Sequence, residues 1–309
     1  MAAQTDDVLR VGNGRVELEV ALSCGPRVVT YGRAGGRSVF ARTPDLFTDT
    51  VLGRWRPVGG HRLWVAPESM PGSYAPDDAP VQVVRRDTLS LVLHGGVDAA
   101  GMEKSIALDL QPASTLVIVT HRVTNRTCWP VTIASWGITV VEPDGTAVLP
   151  QPPRRTHAEQ FLPSRRLVQW AYSDFSDPRW HLGRDLVRLT PDPDRHDAQK
   201  VGIANGCGWA AVLYEDCTFL TCTRWDPSAR YPDLGCNTEL FTAGAYLEVE
   251  ALGPLTLTQP GHAVTHVEAW MLAGAPPAGL DEAALARWLA AEAAPALDAL
   301  GTLRPPGMR

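Results

Sequence analysis

Hydrophobic and polar residues alternate over most of the chain, in short segments separated by turn residues. In "VELEVAL", the side chains of Val16, Leu18, Val20 and Leu22 fall on one face and the two glutamates on the other. This period of two is typical of β-strands, and it recurs in "LSLVLHG", "KSIALDL", "TLVIVTHRVTN", "WAAVLYE", "TFLTCTRW" and "YLEVEAL". The intervening "SCGP", "PDG", "QPG" and "TPDPD" are rich in turn residues and predict antiparallel connections.

Helical periodicity is confined to one segment near the end of the chain. No amphipathic helix is evident between residues 1 and 270, whereas a parallel α/β fold needs a helix after nearly every strand. The segment 280–300, "LDEAALARWLAAEAAPALDAL", places Leu285 and Leu289 at helical spacing. We expect Pro295 to end or kink this helix.

These patterns predict an all-β protein built as one large antiparallel β-sandwich. The proline-rich joint "AGAPPAG" marks the place where the β region stops. We therefore expect a β-sandwich domain over residues 1–275 and a C-terminal helical tail, residues 276–309, packed on it.

The composition describes a globular protein and excludes several classes of partner. The 309 residues are 45% hydrophobic and carry a formal net charge of −6. The arginine pairs are scattered, so no basic stripe predicts nucleic-acid binding. No secretory signal and no membrane-spanning run are evident. We expect a cytoplasmic protein whose six cysteines are reduced thiols, and the sequence does not indicate its oligomeric state.

Neither a metal nor a cofactor is predicted from local motifs. The cysteines form no C-x-x-C pair. His262 and His266 are four residues apart, but they lie in a predicted strand, which separates them by about 13 Å. A metal site would therefore require residues that are distant in the sequence to come together, and we expect none.

Tryptophan is unusually abundant, with ten residues against six Phe and six Tyr. Indole faces suit the apolar faces of sugar rings, although most tryptophans pack in a core. Four stand among polar or loop-forming residues and are candidates for a binding site: Trp64, Trp136, Trp180 and Trp225.

Acidic residues are concentrated in a late predicted strand, "YLEVEALGP". Glu248 and Glu250 share one face, and Leu247 and Val249 share the other. Two carboxylates on one face repel each other unless they meet water, a cation or a substrate. A solvated outer face and a site are therefore both open.

The segment "VGGHRLWVAPE", residues 58–68, gathers a histidine, a cation, an aromatic ring and an acid. Glycines permit close backbone approach, and His61, Arg62, Trp64 and Glu68 exceed the polar content that a turn needs. We favour a site over a crowded turn, with a hydrogen-bonded structural histidine as the alternative.

Six segments together resemble the DUF4380 family of bacterial proteins, within the galactose mutarotase-like superfamily. They are "GGHRLWVAPE", "GMEKSIALDL", "HRVTNRTCWPV", "SDPRW", "GCNTELFT" and "LEVEALGPLTLTQPGHAVTHVEAW". The resemblance covers residues 8–272. It implies a two-sheet antiparallel supersandwich that binds carbohydrate, and a relation to aldose 1-epimerases and hexose-6-phosphate epimerases.

The resemblance also implies roles for particular residues. In these epimerases a glutamate removes the proton of the anomeric hydroxyl and a histidine protonates the ring oxygen. Glu248 or Glu250 would take the base role, with Glu239 in "NTELFT" as a third contender. Trp136 and Gly137 occupy the place where the histidine of the epimerases is expected.

We therefore assign the missing acid to His61, which we expect to face the same cavity as one late-strand glutamate. The residues expected to bind substrate are Arg62, Trp64, Glu68, Trp136, Arg179 and Trp180. Arg62 could bind sugar hydroxyls or a phosphate in a bidentate way.

The leading functional hypothesis is an aldose 1-epimerase-like isomerase acting on a sugar or a sugar phosphate. The main alternative is a carbohydrate-binding or sensing protein that has lost catalysis, which the missing histidine favours. A glycoside lyase or hydrolase is a third hypothesis, because the same fold hosts different chemistries. A second carboxylic acid across the cleft from Glu250 would favour hydrolysis.

Overall fold

A computed structural model describes residues 7–43 and 45–303. Strands make up most of the regular structure. The first twelve strands are β1 (Val8–Gly12), β2 (Val16–Ala21), β3 (Arg27–Arg33), β4 (Arg42–Thr43), β5 (Thr48–Thr50), β6 (Gly53–Trp55), β7 (Val58–Gly59), β8 (His61–Ala66), β9 (Gln82–Arg85), β10 (Ser90–Val97), β11 (Met102–Leu110) and β12 (Val117–Asn125).

The second half of the chain adds twelve more strands and the helix. The strands are β13 (Val131–Val141), β14 (Thr146–Pro150), β15 (Leu167–Gln169), β16 (Trp180–Leu182), β17 (Leu186–Leu189), β18 (Gln199–Ile203), β19 (Trp209–Leu213), β20 (Cys217–Thr223), β21 (Thr238–Thr242), β22 (Leu247–Leu252), β23 (Thr256–Thr258) and β24 (Ala263–Gly274). The helix is α1 (Glu282–Thr302), and a short 3₁₀ turn spans Gly72–Tyr74.

Two large antiparallel sheets form the body of the protein. The front sheet has the order β1-β2-β3-β8-β13-β22-β21-β18-β15, with β23 paired to β13. The back sheet has the order β16-β17-β14-β19-β20-β24-β12-β11-β10-β9. Two small sheets pair β4 with β7 and β5 with β6. The prediction of an all-β antiparallel sandwich is confirmed.

The alternating sequence pattern explains why the two sheets pack together. In β11, "MEKSIALDL", every second side chain is buried and the intervening ones are only partly covered. The apolar side chains of both sheets join in one cluster that includes Leu18, Ile106, Val119 and Val249. Removing such side chains from water is the main force that holds a β-sandwich together.

Helix α1 packs on the back sheet. Leu289, Ala293, Ala296 and Leu300 are buried in one apolar cluster with side chains of β19, β20 and β24. The prediction that Pro295 could end the helix is wrong, because α1 continues to Thr302. Proline removes one backbone hydrogen bond, and the apolar contacts on both sides of it keep the helix continuous.

Two further expectations concern the whole chain. All six cysteines are free, in agreement with the expected thiols. Within the described residues, no helix is long and apolar enough to cross a membrane. The division into segments 1–275 and 276–309 stays a prediction, and residues 1–6 and 304–309 lie outside the described part of the chain.

Candidate active site

A cavity of about 520 Å³ lies on the face of the front sheet that points away from the back sheet. Its floor comes from the central strands β8, β13, β18, β21 and β22, and its walls come from the loops around them. The lining residues are Leu46, Phe47, Thr48, Trp55, Pro57, Arg62, Trp64, Glu68, Tyr74, Trp136, Ile138, Trp170, Tyr172, Ala198, Lys200, Phe241, Tyr246, Glu248 and Glu250.

Strand register explains how distant residues reach the same floor. Arg62 of β8 lies opposite Ile138 of β13, and Ile138 lies opposite Glu250 of β22. Glu250 in turn lies opposite Glu239 of β21. Because side chains directly opposite each other in a sheet share a face, these four strands carry one continuous row of side chains.

The two glycines of "VGGHRLW" serve the backbone. Gly59 and Gly60 have φ values of 91° and 63°. A Cβ atom on Gly60 would lie 2.2 Å from the carbonyl oxygen of Val28. The backbone at Gly60 therefore packs directly against the backbone at Val28. Strand β8 follows at once, and its side chains alternate between the core and the cavity.

We expect Gly60→Ala to lower the free energy of unfolding by about 2–3 kcal/mol, because a side chain there meets both positive φ and the Val28 carbonyl. The matched control is Gly14→Ala, which has φ of 80° but no atom within 4 Å of the added Cβ. Urea denaturation of both variants measures the difference. Equal losses in the two variants would contradict the close approach at Gly60.

An ion pair between Arg62 and Glu248 forms one side of the cavity floor. Arg62 Nη2 donates to Glu248 Oε1 at 2.8 Å, and the Tyr246 hydroxyl donates to the same oxygen at 2.7 Å. The guanidinium lies 5.4 Å from the ring centroid of Trp55 and 5.0 Å from that of Trp64. Burial opposes the charge of Arg62, but Glu248 keeps its pKa raised.

Lys200 bridges two glutamates on the other side of the floor. Its Nζ lies 2.8 Å from Glu239 Oε2 and 2.9 Å from Glu250 Oε2. The indole Nε1 of Trp136 also donates to Glu250 Oε2, at 2.9 Å. Burial disfavours the ammonium, yet the two carboxylates outweigh burial and hold the pKa of Lys200 well above its ordinary value.

Glu250 combines a fixed position with one free oxygen. Its Oε2 is held by Lys200 and Trp136, whereas its buried Oε1 has no hydrogen-bonding partner among the described residues. Burial raises the pKa of Glu250, Lys200 opposes that rise and Glu248 adds to it. A carboxylate oriented in this way can accept a proton from a molecule in the cavity.

Glu239 lies beneath Lys200 and is not part of the cavity lining. It is fully buried, and its Oε2 lies 2.8 Å from Lys200 Nζ. Burial raises its pKa well above the ordinary value, and Lys200 opposes the rise. Glu239 therefore fixes and polarises Lys200, and its carboxylate does not reach a ligand in the cavity.

The prediction that His61 faces the cavity is wrong. His61 is fully buried between the two sheets, where Nε2 lies 2.7 Å from His121 Nε2 and Nδ1 lies 2.9 Å from Thr139 Oγ1. Successive side chains of a strand point to opposite faces. Since Arg62 faces the cavity, its neighbour His61 must face the core.

Arg179 and Trp180 are also away from the cavity. Trp180 belongs to β16 at the edge of the back sheet, where its Nε1 donates to Gln199 Oε1 and its ring packs against Phe175. Arg179 forms an ion pair with Asp177. Both residues hold the structure together, so their assignment to substrate binding is corrected. Trp225 lines separate cavities.

The remaining predicted residues converge. Arg62, Trp64, Glu68, Trp136, Glu248 and Glu250 all line the one cavity. Five further residues line the cavity and were not predicted from the sequence: Lys200, Trp55, Trp170, Tyr172 and Tyr246. Tyr246 had a detectable signal, because it lies two residues before Glu248 and so shares its face.

Comparison with known proteins finds similarity at the level of the fold. No family model and no curated protein matches the chain. A candidate aldose 1-epimerase from Escherichia coli K12 is 14% identical, with a TM-score of 0.52 over 87% of this chain and 99% of that one. A galactose mutarotase-like protein from Lactobacillus casei is 11% identical, with a TM-score of 0.52 over 86% and 100%.

A larger protein shares the same architecture over nearly all of this chain. A TPR-domain containing protein from Parabacteroides distasonis is 15% identical, with a TM-score of 0.59 over 98% of this chain and 49% of that one. At such identities the likeness is one of fold. The chain has the galactose mutarotase-like β-sandwich fold.

Proposed function

We propose that this protein is an aldose 1-epimerase-like isomerase that interconverts the anomers of an uncharged sugar. The observation that carries the proposal is Glu250, which lines a cavity walled by tryptophan rings and has one carboxylate oxygen without a hydrogen-bonding partner among the described residues. Aromatic walls with a few fixed polar groups are typical of sugar sites. The shared fold with mutarotase-like proteins supports the same assignment.

The proposed reaction needs one base and one proton donor. Glu250 removes the proton of the anomeric hydroxyl, and the ring opens as its oxygen receives a proton. Lys200 takes the donor role that we had assigned to His61. Lys200 Nζ donates to Glu250 Oε2 and forms an ion pair with Glu239, and an ammonium has three donor positions, so one is left for the substrate. When the ring closes on the other face of the carbonyl, the attacking hydroxyl returns its proton to Lys200 and Glu250 returns its proton to the anomeric oxygen, which gives the other anomer.

The charges around the cavity favour a neutral sugar over a sugar phosphate. The lining carries three carboxylates, Glu68, Glu248 and Glu250, and two cations, Arg62 and Lys200. Both cations already have carboxylate partners. A phosphate would compete with those partners and meet a net negative surface, whereas sugar hydroxyls can donate to the free carboxylate oxygen.

A carbohydrate-binding protein without catalysis is the second proposal. The observation in its favour is that no histidine is among the described residues that line the cavity. The positions of the carboxylates of Glu239 and Glu250 support a hydrolase less than they support an isomerase. These two residues stand side by side on neighbouring strands and are bridged by Lys200, instead of facing each other across a cleft.

Relaxation of single anomers tests the proposed function. Freshly dissolved pure anomers of neutral aldoses and of aldose 6-phosphates are followed by proton NMR with and without the protein. We expect at least one neutral aldose to equilibrate faster in proportion to protein concentration, and the phosphates to be poorer substrates. Binding without any acceleration would support the non-catalytic alternative, and neither binding nor acceleration would contradict both proposals.

The pH dependence of the exchange rate reports on Glu250. The carboxylate must be ionised to accept a proton, and burial raises its pKa above the ordinary 4.5. We therefore expect the rate to increase with pH along a limb that lies above 4.5. Because the Glu248 carboxylate adds to the raised pKa, Glu248→Gln should shift that limb to lower pH. A limb that stays in place would contradict this assignment.

Three broader assignments complete the proposal. Membership of the DUF4380 family is supported by the sequence motifs given above. A cytoplasmic location is supported by six free cysteines. The absence of a nucleic-acid partner is supported by the net charge of −6.

A further inference from the structure

A second cluster of titratable side chains lies between the sheets, on the opposite face of the front sheet from the cavity. His61 comes from the front sheet, and His121, His266 and Glu268 come from β12 and β24 of the back sheet. His121 lies directly opposite His266, and Glu268 is two residues further along the same face. All four side chains are buried.

Several atoms of this cluster face one another without hydrogen bonds. His121 Nδ1, His266 Nδ1 and Glu268 Oε1 are buried and have no partner within the described residues. Glu268 Oε1 lies 3.7 Å from His121 Nδ1 and 3.8 Å from His266 Nδ1. These distances are too long for hydrogen bonds, and an unpaired buried polar atom is costly.

We propose that His61, His121 and Glu268, with His266 as a fourth ligand, form a site for a divalent transition-metal ion of the zinc class. Donor atoms of the first three residues lie within 4.8 Å of one another. In a tetrahedral site with bonds of about 2.1 Å, donor atoms are about 3.4 Å apart. Glu268 Oε1 lies 3.7 Å from His121 Nδ1 and 3.8 Å from His266 Nδ1, close to that value. His61 Nε2 lies 2.7 Å from the other ring nitrogen of His121, so His61 must exchange that contact for the ion.

The surroundings fix the ligand atoms in the required state. Thr223 Oγ1 lies 2.6 Å from His266 Nε2 and 3.4 Å from the carbonyl oxygen of Val267. When the hydroxyl donates to that carbonyl, His266 donates from Nε2 and the lone pair of Nδ1 is free. Trp270 and Thr221 donate to Glu268 Oε2, which leaves Oε1 free. Such outer contacts orient the ligands in metal sites.

The types of side chain in the cluster also suit a metal. Imidazole and one carboxylate are ligands that zinc accepts.

Gly137 keeps a further side chain out of the cluster, because a Cβ atom there would lie 2.0 Å from Glu268 Oε1. His266 also lines a second cavity of about 470 Å³ next to Trp225. An ion bound here would tie His61 of the front sheet to the back sheet. This role is independent of the proposed epimerase activity.

Titration with Co²⁺ tests the proposal. The full-length protein is first dialysed against a chelator, and visible absorption then follows the d–d bands. We expect one Co²⁺ per chain, displaced by one equivalent of Zn²⁺. His121→Asn and Glu268→Gln should weaken binding at least about tenfold. His262→Asn is the matched control, because that exposed histidine of the same region does not contact the cluster.

A second measurement uses only the wild-type protein, so it does not depend on whether the variants fold. Zn²⁺ added to the wild-type protein should raise its Tm, because a ligand that binds the folded state stabilises it, whereas Mg²⁺ should not. Three results would overturn the proposal. They are no stoichiometric binding, binding that persists in Glu268→Gln, and an intense near-ultraviolet charge-transfer band of Co²⁺ bound to cysteine thiolate.

Discussion

Glu250→Gln is expected to reduce anomer exchange by about 10²–10⁴-fold while sugar affinity stays within a few-fold of the wild type. The amide keeps the shape of the side chain, and its oxygen can still accept from Trp136 and Lys200. It cannot take the proton of the anomeric hydroxyl. The effect should therefore appear in kcat, with little change in KM.

Proton NMR gives the exchange rates, and calorimetric titration gives the affinities. Glu103→Gln is a suitable control, because Glu103 lies on β11 of the back sheet and pairs with Arg126 near the surface. It should leave both quantities unchanged. Wild-type exchange rates in Glu250→Gln would remove Glu250 from the mechanism, and loss of binding in that variant would make its role one of recognition.

Lys200→Met is expected to lower the free energy of unfolding by about 3–5 kcal/mol, which is typical when one partner of a buried ion pair is removed. The change leaves two carboxylates, Glu239 and Glu250, buried side by side without the ammonium that lies within 2.9 Å of both. Among the described residues, Lys200 is the only cation that bridges these two carboxylates. Urea denaturation at neutral pH measures the loss.

A second substitution tests the cause of that loss. In Lys200→Met with Glu239→Gln, one of the two carboxylates is neutral, so part of the lost stability should return. The double variant should then be more stable than Lys200→Met alone. A double variant that loses the sum of the two single effects would show that Lys200 contributes through packing against Trp136 and Trp170 instead of through charge.

The fold was predictable because its signal is local. In segments such as β2 and β11, the alternation of apolar and polar residues predicts which face of the strand is buried. Turn residues mark where one strand ends and the next begins. The single helix was predicted at 280–300 and occurs at Glu282–Thr302. The end of the helix was predicted wrongly at Pro295. The sequence does not show how much apolar surface the helix buries before and after this proline.

The candidate site was predictable only in part, and the failures have physical causes. Alternation correctly placed Glu248 and Glu250 on one face. The same rule places His61 and Arg62 on opposite faces, but the cluster of polar residues in "GGHRLW" favoured a single site for both. Lys200 could not be found, because strand pairing brings it to a glutamate 50 residues away. Trp180 stood among polar residues, yet it lies at an edge of the other sheet.

We expect a neutral sugar to bind over Glu250 with its anomeric hydroxyl at that residue. The most direct test is a crystal structure of Glu250→Gln with a neutral aldose bound. We expect the anomeric oxygen to lie within about 3 Å of the side chain at position 250, the ring oxygen to point toward Lys200, and an apolar sugar face to pack on an indole ring of the cavity. A sugar bound beside Trp225, or one whose anomeric oxygen points to solvent, would contradict it.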